Sequence, residues 1–189
     1  MVQTVFLDTG VILDYLENRN QEVRDLIAQL ILLHKKARVM IATSVFNVAE
    51  LIDKEFEIHF VGWCLNERMS YDETISRLRR DGKMFREVAG KNRNSIEKRV
   101  KDFLFKNEIA ILSLPGEVQQ YEELYELIYQ RQLRSQDALI VATALASKVT
   151  YFLCMDSDLA SKIGEILFTY NLRDENICKR FRNDVLEAI

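Results

Sequence analysis

Apolar positions along the chain fall alternately into short continuous runs and into helical spacing. Val2–Leu7 is a short β-branched run that reads as a buried strand, and it stops at Asp8-Thr9-Gly10. Val11–Leu16 predicts a short helix. Apolar residues at Val23, Leu26, Ile27, Leu30, Ile31 and Leu33 predict a longer one over Glu22–Lys36. Arg38–Ala42 reads as a second strand, with Thr43-Ser44 capping a helix that runs through Val45, Val48, Ala49, Leu51 and Ile52. A mostly helical stretch follows from about 55 to 106. Its clearest pieces are Tyr71–Ala89 and Ser95–Phe105, separated by Gly90-Lys91-Asn92-Arg93-Asn94. Ile109–Leu114 predicts a strand, Pro115-Gly116 a turn and Glu117–Arg131 a helix. Ser135 is expected to cap a very apolar helix over Asp137–Lys148. Tyr151–Met155 and Ile166–Tyr170 read as the last strands, and Arg173–Ile189 as a charged helical tail.

Strands that alternate with helices predict an α/β fold: a central parallel sheet with helices on both faces. No repeat, low-complexity tract or flexible linker interrupts the chain. The expectation is a single domain over residues 1–189 with a helical insertion at about 55–106.

Composition sharpens this picture in two places. The net charge is -3 and the sequence pI about 5.6, which gives no overall footprint for nucleic acid. The charge is unevenly spread, however. Residues 66–106 carry 12 Lys/Arg against 7 Asp/Glu, leaving 14 against 22 elsewhere. One basic segment is mounted on an acidic body, either as a solvated helical surface or as a phosphate-binding one. The three cysteines, Cys64, Cys154 and Cys178, are odd in number and widely spaced, without a zinc pattern or a disulfide framework. The N-terminus lacks a basic, apolar leader and no long uncharged apolar stretch occurs. A cytoplasmic location, away from the membrane, is expected.

In parallel α/β sheets ligands bind at the carboxyl ends of strands. Asp8 ends the first predicted strand and Asp156 ends the Tyr151–Met155 strand. Asp137 lies in the first turn of the apolar helix, and Glu50 about two turns into the helix after the second strand. The four acids are expected to converge on one edge of the sheet. Grouped carboxylates repel unless a cation neutralises them, and oxygen-only ligands select hard ions such as Mg2+ or Mn2+. His34 and His59 fall in other helices. Such an ion suits phosphodiester hydrolysis without a covalent nucleophile. Taken singly, each acid also has an ordinary use as a helix cap, a turn residue or a solvated side chain. Asp158 serves either as a further metal ligand or as a cap. Asp14 is expected at the surface, and Trp63, Phe85, Phe103 and Phe105 in the core of the helical insertion.

Four segments in order carry a family resemblance. Val5-Phe6-Leu7-Asp8-Thr9 is similar to the opening of PIN domains, where a strand ends in Asp followed by Thr or Ser. Thr43-Ser44-Val45-Phe46-Asn47-Val48-Ala49-Glu50-Leu51 resembles the family's second motif, and Gln136-Asp137-Ala138-Leu139-Ile140-Val141-Ala142-Thr143-Ala144 its third. Phe152-Leu153-Cys154-Met155-Asp156-Ser157-Asp158-Leu159 resembles the fourth. The resemblance implies a PIN fold and a Mg2+- or Mn2+-dependent endoribonuclease using Asp8, Glu50, Asp137 and Asp156, with Asp158 as a further ligand. Many small PIN proteins resemble toxins of VapBC-type pairs, so it also implies an RNA substrate, an inhibitory antitoxin protein and a homodimer. The chain departs from the pattern at Cys154, where Thr or Ser is usual, and at Gly10, where a small polar residue is common. The Glu50-to-Asp137 interval is also longer than in a minimal toxin. The extra length coincides with the basic segment, which predicts phosphate contacts from Arg77, Arg79, Arg80, Lys83, Lys91, Arg93, Lys98, Arg99 and Lys101.

Other readings fit less well. A haloacid-dehalogenase-type phosphatase needs a second Asp where Gly10 stands, and a response-regulator receiver needs acids where Gln3-Thr4 stand. A catalytically inactive PIN-like module for RNA or protein binding is the main alternative, and a DNA-directed nuclease of related fold the next.

Overall fold

The computed structural model describes residues 2–80, 82–114, 116 and 118–188, without the side chains of residues 79, 80, 89 and 118–120. The chain divides into two compact units, one of residues 1–48 with 107–189, the other of residues 49–106.

The first unit is a five-stranded, wholly parallel sheet in the order β3-β2-β1-β4-β5, with β1 at Gln3–Leu7, β2 at Val39–Ser44, β3 at Ala110–Leu112, β4 at Tyr151–Cys154 and β5 at Thr169–Asn171. Helices α1 (Thr9–Glu17) and α2 (Gln21–Lys35) join β1 to β2. α6 (Val118–Tyr125), a π-helical turn at Glu126–Gln130 and α7 (Ser135–Ala146) join β3 to β4. α8 (Ser157–Ile163) leads to β5, and α9 (Glu175–Phe181) with a second π-helical turn at Arg182–Leu186 closes the chain. The sheet is the one predicted, an α/β fold consistent with a PIN domain.

Strand alternation sorts the side chains between two apolar layers. Phe6 and Phe152 point to one face, where their rings stack at 5.1 Å and 12°. Ala138, Val141 and Ala142 of α7 cover them. Tyr151, one residue away, points to the other face and meets Phe181 of α9 edge-on at 6.4 Å. Phe6, Phe152 and Phe181 are wholly buried; each ring contributes about 1.5–3 kcal/mol by leaving water. The tail is therefore part of the core, with Cys178, Phe181 and Val185 buried.

Several helix starts follow side-chain capping. Asn20 accepts from Glu22 and Val23 amides, Asp156 from Asp158 and Leu159, and Asp174 from Asn176. Ser44, the last residue of β2, accepts from the Asn47 amide at 3.1 Å and so starts α3 (Val45–Asn66), which runs from the first unit into the second.

The second unit is helical throughout: the rest of α3, α4 (Tyr71–Arg80) and α5 (Gly82–Lys106). A reciprocal capping box starts α4: the Ser70 amide and hydroxyl donate to Glu73 Oε2, and the Glu73 amide donates to Ser70 Oγ. Phe60, Cys64 and Val88 form its buried centre, with Trp63, Met84 and Phe85 packed around them. Glu55, wholly buried, is paired with Arg99 at 3.3 Å.

Several expectations change. α5 runs unbroken through residues 90–94, because the buried Val88, Ile96 and Val100 on either side anchor it while Gly90, Asn92 and Asn94 each weaken a helix by only about 1 kcal/mol or less. Ser135 is the first residue of α7 rather than its cap; the cap position is Arg134, which makes no side-chain cap bond. The last strand lies at Thr169–Asn171, later than Ile166–Tyr170. Phe103 is buried as expected, but Phe105 is 66% exposed on the outer side of α5. Asp14 is buried, since the consecutive residues Val11, Ile12, Leu13 and Asp14, a full turn of the short α1, all lie inside. The expected Pro115-Gly116 turn falls partly on Pro115, outside the described residues.

Candidate active site

The strand order reverses between β1 and β4. The chain steps outward from β1 to β2 to β3 on one side, and from β4 to β5 on the other. A crevice at the carboxyl ends of the strands is the usual ligand site at such a switch point. Asp8 follows β1 directly, and its amide donates to Leu153 O of β4 at 3.0 Å. Asp156 follows β4 by two residues. The two predicted strand-end acids thus leave neighbouring strands at the same edge. Asp137 sits in the first turn of α7, half-buried. Because α7 returns the chain to the start of β4, its N-terminus lies at that same edge.

Asp8 is held by a residue that the sequence reading did not single out. The wholly buried Asn47 donates through Nδ2 to Asp8 Oδ1 and to Thr9 Oγ1, both at 3.0 Å. Its Oδ1 accepts from the Ser44 hydroxyl at 2.5 Å and the Ser44 amide at 3.2 Å. A carboxylate only accepts, so the network fixes which end of the amide faces Asp8. Thr43 ties the neighbouring strand in by donating its hydroxyl to Leu7 O at 2.9 Å. The only sequence signal for Asn47 was its spacing three residues after Ser44.

The two departures at the site have structural counterparts. A Cβ on Gly10 would lie 3.1 Å from Met155 Cβ and 3.7 Å from Asp8 Oδ2. Glycine therefore lets α1 approach the β4 edge and keeps open the space beside that oxygen. The buried Cys154 thiol makes only long contacts, 3.6 Å to Asp156 O and 3.9 Å to Tyr170 O. Burial, reinforced by the nearby charge of Asp8 and then of Asp156, pushes this thiol up to about 12.

The remaining predicted residues are placed differently. Asp156 is exposed and accepts the Asp158 and Leu159 amides at 2.8 and 3.1 Å through Oδ1, which orients it at the start of α8. Asp158 is exposed and paired with Lys162 at 2.6 Å, one turn along α8. Glu50 stands on the part of α3 that belongs to the second unit, half-buried. Among the described residues, no three of His, Cys, Asp or Glu are gathered tightly enough to hold a metal ion. The donors present are nevertheless of the right kind. They are carboxylate oxygens beside an open cradle at Gly10, and Mg2+ is usually held by one or two carboxylates with water completing its shell. The residues therefore fit a hard divalent ion in type.

The family model of the PIN domain matches residues 64–165, more than half of the chain. The chain belongs to the PIN-domain family. PIN domains are generally nucleases, and so hydrolases. The match takes in the segments of Asp137 and Asp156 and runs through residues 64–106 of the helical unit, but it begins after Asp8 and Glu50. No curated protein matches the chain. No helix among the described residues is long and apolar enough to cross a membrane.

Proposed function

We propose that this PIN domain is a Mg2+- or Mn2+-dependent endoribonuclease that uses Asp8, Asp137 and Asp156, with Glu50 added from the sequence pattern. The observation that carries the reading is the departure of Asp8 and Asp156 from adjacent parallel strands at the point where strand order reverses. A bound divalent ion would polarise the phosphodiester and make its attacking water more acidic. The chain's own residues would prepare the place for it. Asn47 fixes the rotation of the Asp8 carboxylate, Gly10 leaves room beside Oδ2, and the α8 amides fix Asp156. In this proposal Asp158 orients the start of α8 through its ion pair with Lys162.

RNA as substrate, an antitoxin protein and a homodimer are proposed together from the family resemblance. Among the RNA-contact candidates, Lys83, Lys91, Arg93 and Lys98 are exposed on α5 and best suited to phosphate. Arg99 is paired with the buried Glu55, Lys101 with Glu97, and Arg77 donates to Met84 Sδ. The side chains of Arg79 and Arg80 lie outside the described residues. The helical unit connects β2 to β3, and we propose it as the insertion that grips the substrate strand. Neutralising Lys83, Lys91, Arg93 and Lys98 together should then flatten the salt dependence of RNA binding; an unchanged slope would remove these residues from the interface.

One observation favours a second reading, a PIN-like binding module without catalysis: no trio of ligands is gathered among the described residues. Manganese binding separates the two. Electron paramagnetic resonance should show Mn2+ bound by the wild type and lost in Asp8→Asn. No bound Mn2+ at millimolar concentration would leave the binding module.

A further inference from the structure

A ladder of tyrosines stands on the surface just before the helix that carries Asp137. Tyr121, Tyr125 and Tyr129 recur every four residues along α6 and the π-helical turn, and are 69%, 65% and 70% exposed. The Tyr125 and Tyr129 rings stack at 5.4 Å and 17°. The other side of the turn is anchored, with Leu127 buried against the α7 core, so the ladder is held rather than loose. Contiguous exposed apolar surface of the kind the stacked Tyr125 and Tyr129 rings present marks interaction sites, and π-helical turns recur at functional sites.

The charge carried along this stretch of chain decides what kind of partner fits. Between Lys106 and Arg131 the chain carries five Glu and no Lys or Arg. Glu122 and Glu126 are exposed beside the rings. A polyanion would be repelled there. Arg and Lys are attracted both to carboxylates and to the faces of tyrosine rings, and Tyr is enriched in protein interfaces because its body is apolar and its tip polar. We propose that the Tyr121–Tyr125–Tyr129 face is a docking surface for a basic, amphipathic protein segment, one that presents Arg or Lys beside apolar side chains. The surface is independent of whether the carboxylates bind an ion.

The test uses the full chain in EDTA and three probes: an amphipathic helical peptide of Arg and Leu, the same peptide with Glu for every Arg, and single-stranded oligouridine. Binding is followed by calorimetry and by NMR of the tyrosine rings. The Arg peptide alone should bind and shift the ring signals. Tyr125→Ala with Tyr129→Ala should weaken it about tenfold. Tyr125→Phe with Tyr129→Phe should keep it within about twofold, since the ring faces remain. Glu122→Gln with Glu126→Gln should weaken it about threefold and reduce its salt dependence. The Phe and Gln variants keep the test decisive if the Ala variant does not fold. No binding of the Arg peptide, equal binding by the Tyr→Ala variant, or ring shifts produced by oligouridine would overturn the proposal. So would self-association of the wild type that the tyrosine variants lose, which would assign the face to a second copy of the chain.

Discussion

Replacing Asn47 with Asp places a second carboxylate where an amide now donates to Asp8. The donor–acceptor distance is 3.0 Å. Two full charges at that separation repel by about 5 kcal/mol at an effective dielectric of about 20. The lost charge-assisted hydrogen bond accounts for a further 1.5–3 kcal/mol, roughly. A proton shared by the facing carboxylates relieves the repulsion. The native state of Asn47→Asp then binds more protons than its unfolded state, so its stability falls as pH rises from acid to neutral. Asn47→Ala removes the same donor without adding charge. It should lose about 3–5 kcal/mol, at the upper end for one substitution, without the added pH dependence. Urea denaturation of wild type and both variants from about pH 4 to about pH 8 reads these differences directly. If Asn47→Asp stays within about 0.5 kcal/mol of wild type across that range, the amide does not hold Asp8 and the account of the site's geometry is wrong.

Other predictions follow from single contacts. Gly10→Ala should destabilise by about 1–2 kcal/mol through its contact with Met155, and adding Met155→Ala should recover part of the loss in the same denaturation assay; a fully stable Gly10→Ala would mean the contact relaxes freely. Burial raises the pKa of Asp14 despite the Asn20 amide and Arg19, so between its ordinary and its raised value the native state binds more protons than the unfolded chain, and this carboxylate costs stability as pH rises through that window. Asp14→Asn should therefore be more stable than wild type at neutral pH, with the gap closing below about pH 4; a gap independent of pH would refute this. Cys154 and Cys178 are buried thiols pushed up to about 12 and about 11, and Cys64 is buried as well. Ellman's reagent should reach none of the three in the native protein and all three in urea, and rapid native reaction at any of them would contradict their burial.

Strands were legible where a short apolar run ended abruptly in a polar residue, and this is why Asp8 and Asp156 could be assigned to strand ends. The periodicity of α7 was legible for the same reason that it is buried: Ala138, Val141 and Ala142 leave it little polar surface. Asp14 was misplaced because the short α1 is buried over the full turn from Val11 to Asp14, so a charged residue on it need not face water. Its carboxylate accepts the Asn20 amide at 3.2 Å, just before α2 begins. Phe105 was misplaced for the opposite reason, an apolar residue on the outer side of a long helix. Asn47 was invisible because its role depends on Asp8 and Thr9, 39 and 38 residues away, meeting it across the sheet edge, which periodicity does not record. Glu55 was missed likewise, since a buried acid in a charged helix announces itself only through its partner Arg99.

The central claim is that the carboxylates at the β1 and β4 ends make this PIN domain a metal-dependent ribonuclease. Its most direct test is cleavage of an RNA containing both structured and single-stranded regions, with Mn2+, with Mg2+ and with EDTA, by wild type, Asp8→Asn and Asp137→Asn. The account predicts cutting that requires a divalent ion and is lost in both variants. Cutting that survives in EDTA or in Asp8→Asn, or no cutting by a wild type shown to bind no Mn2+, would contradict it.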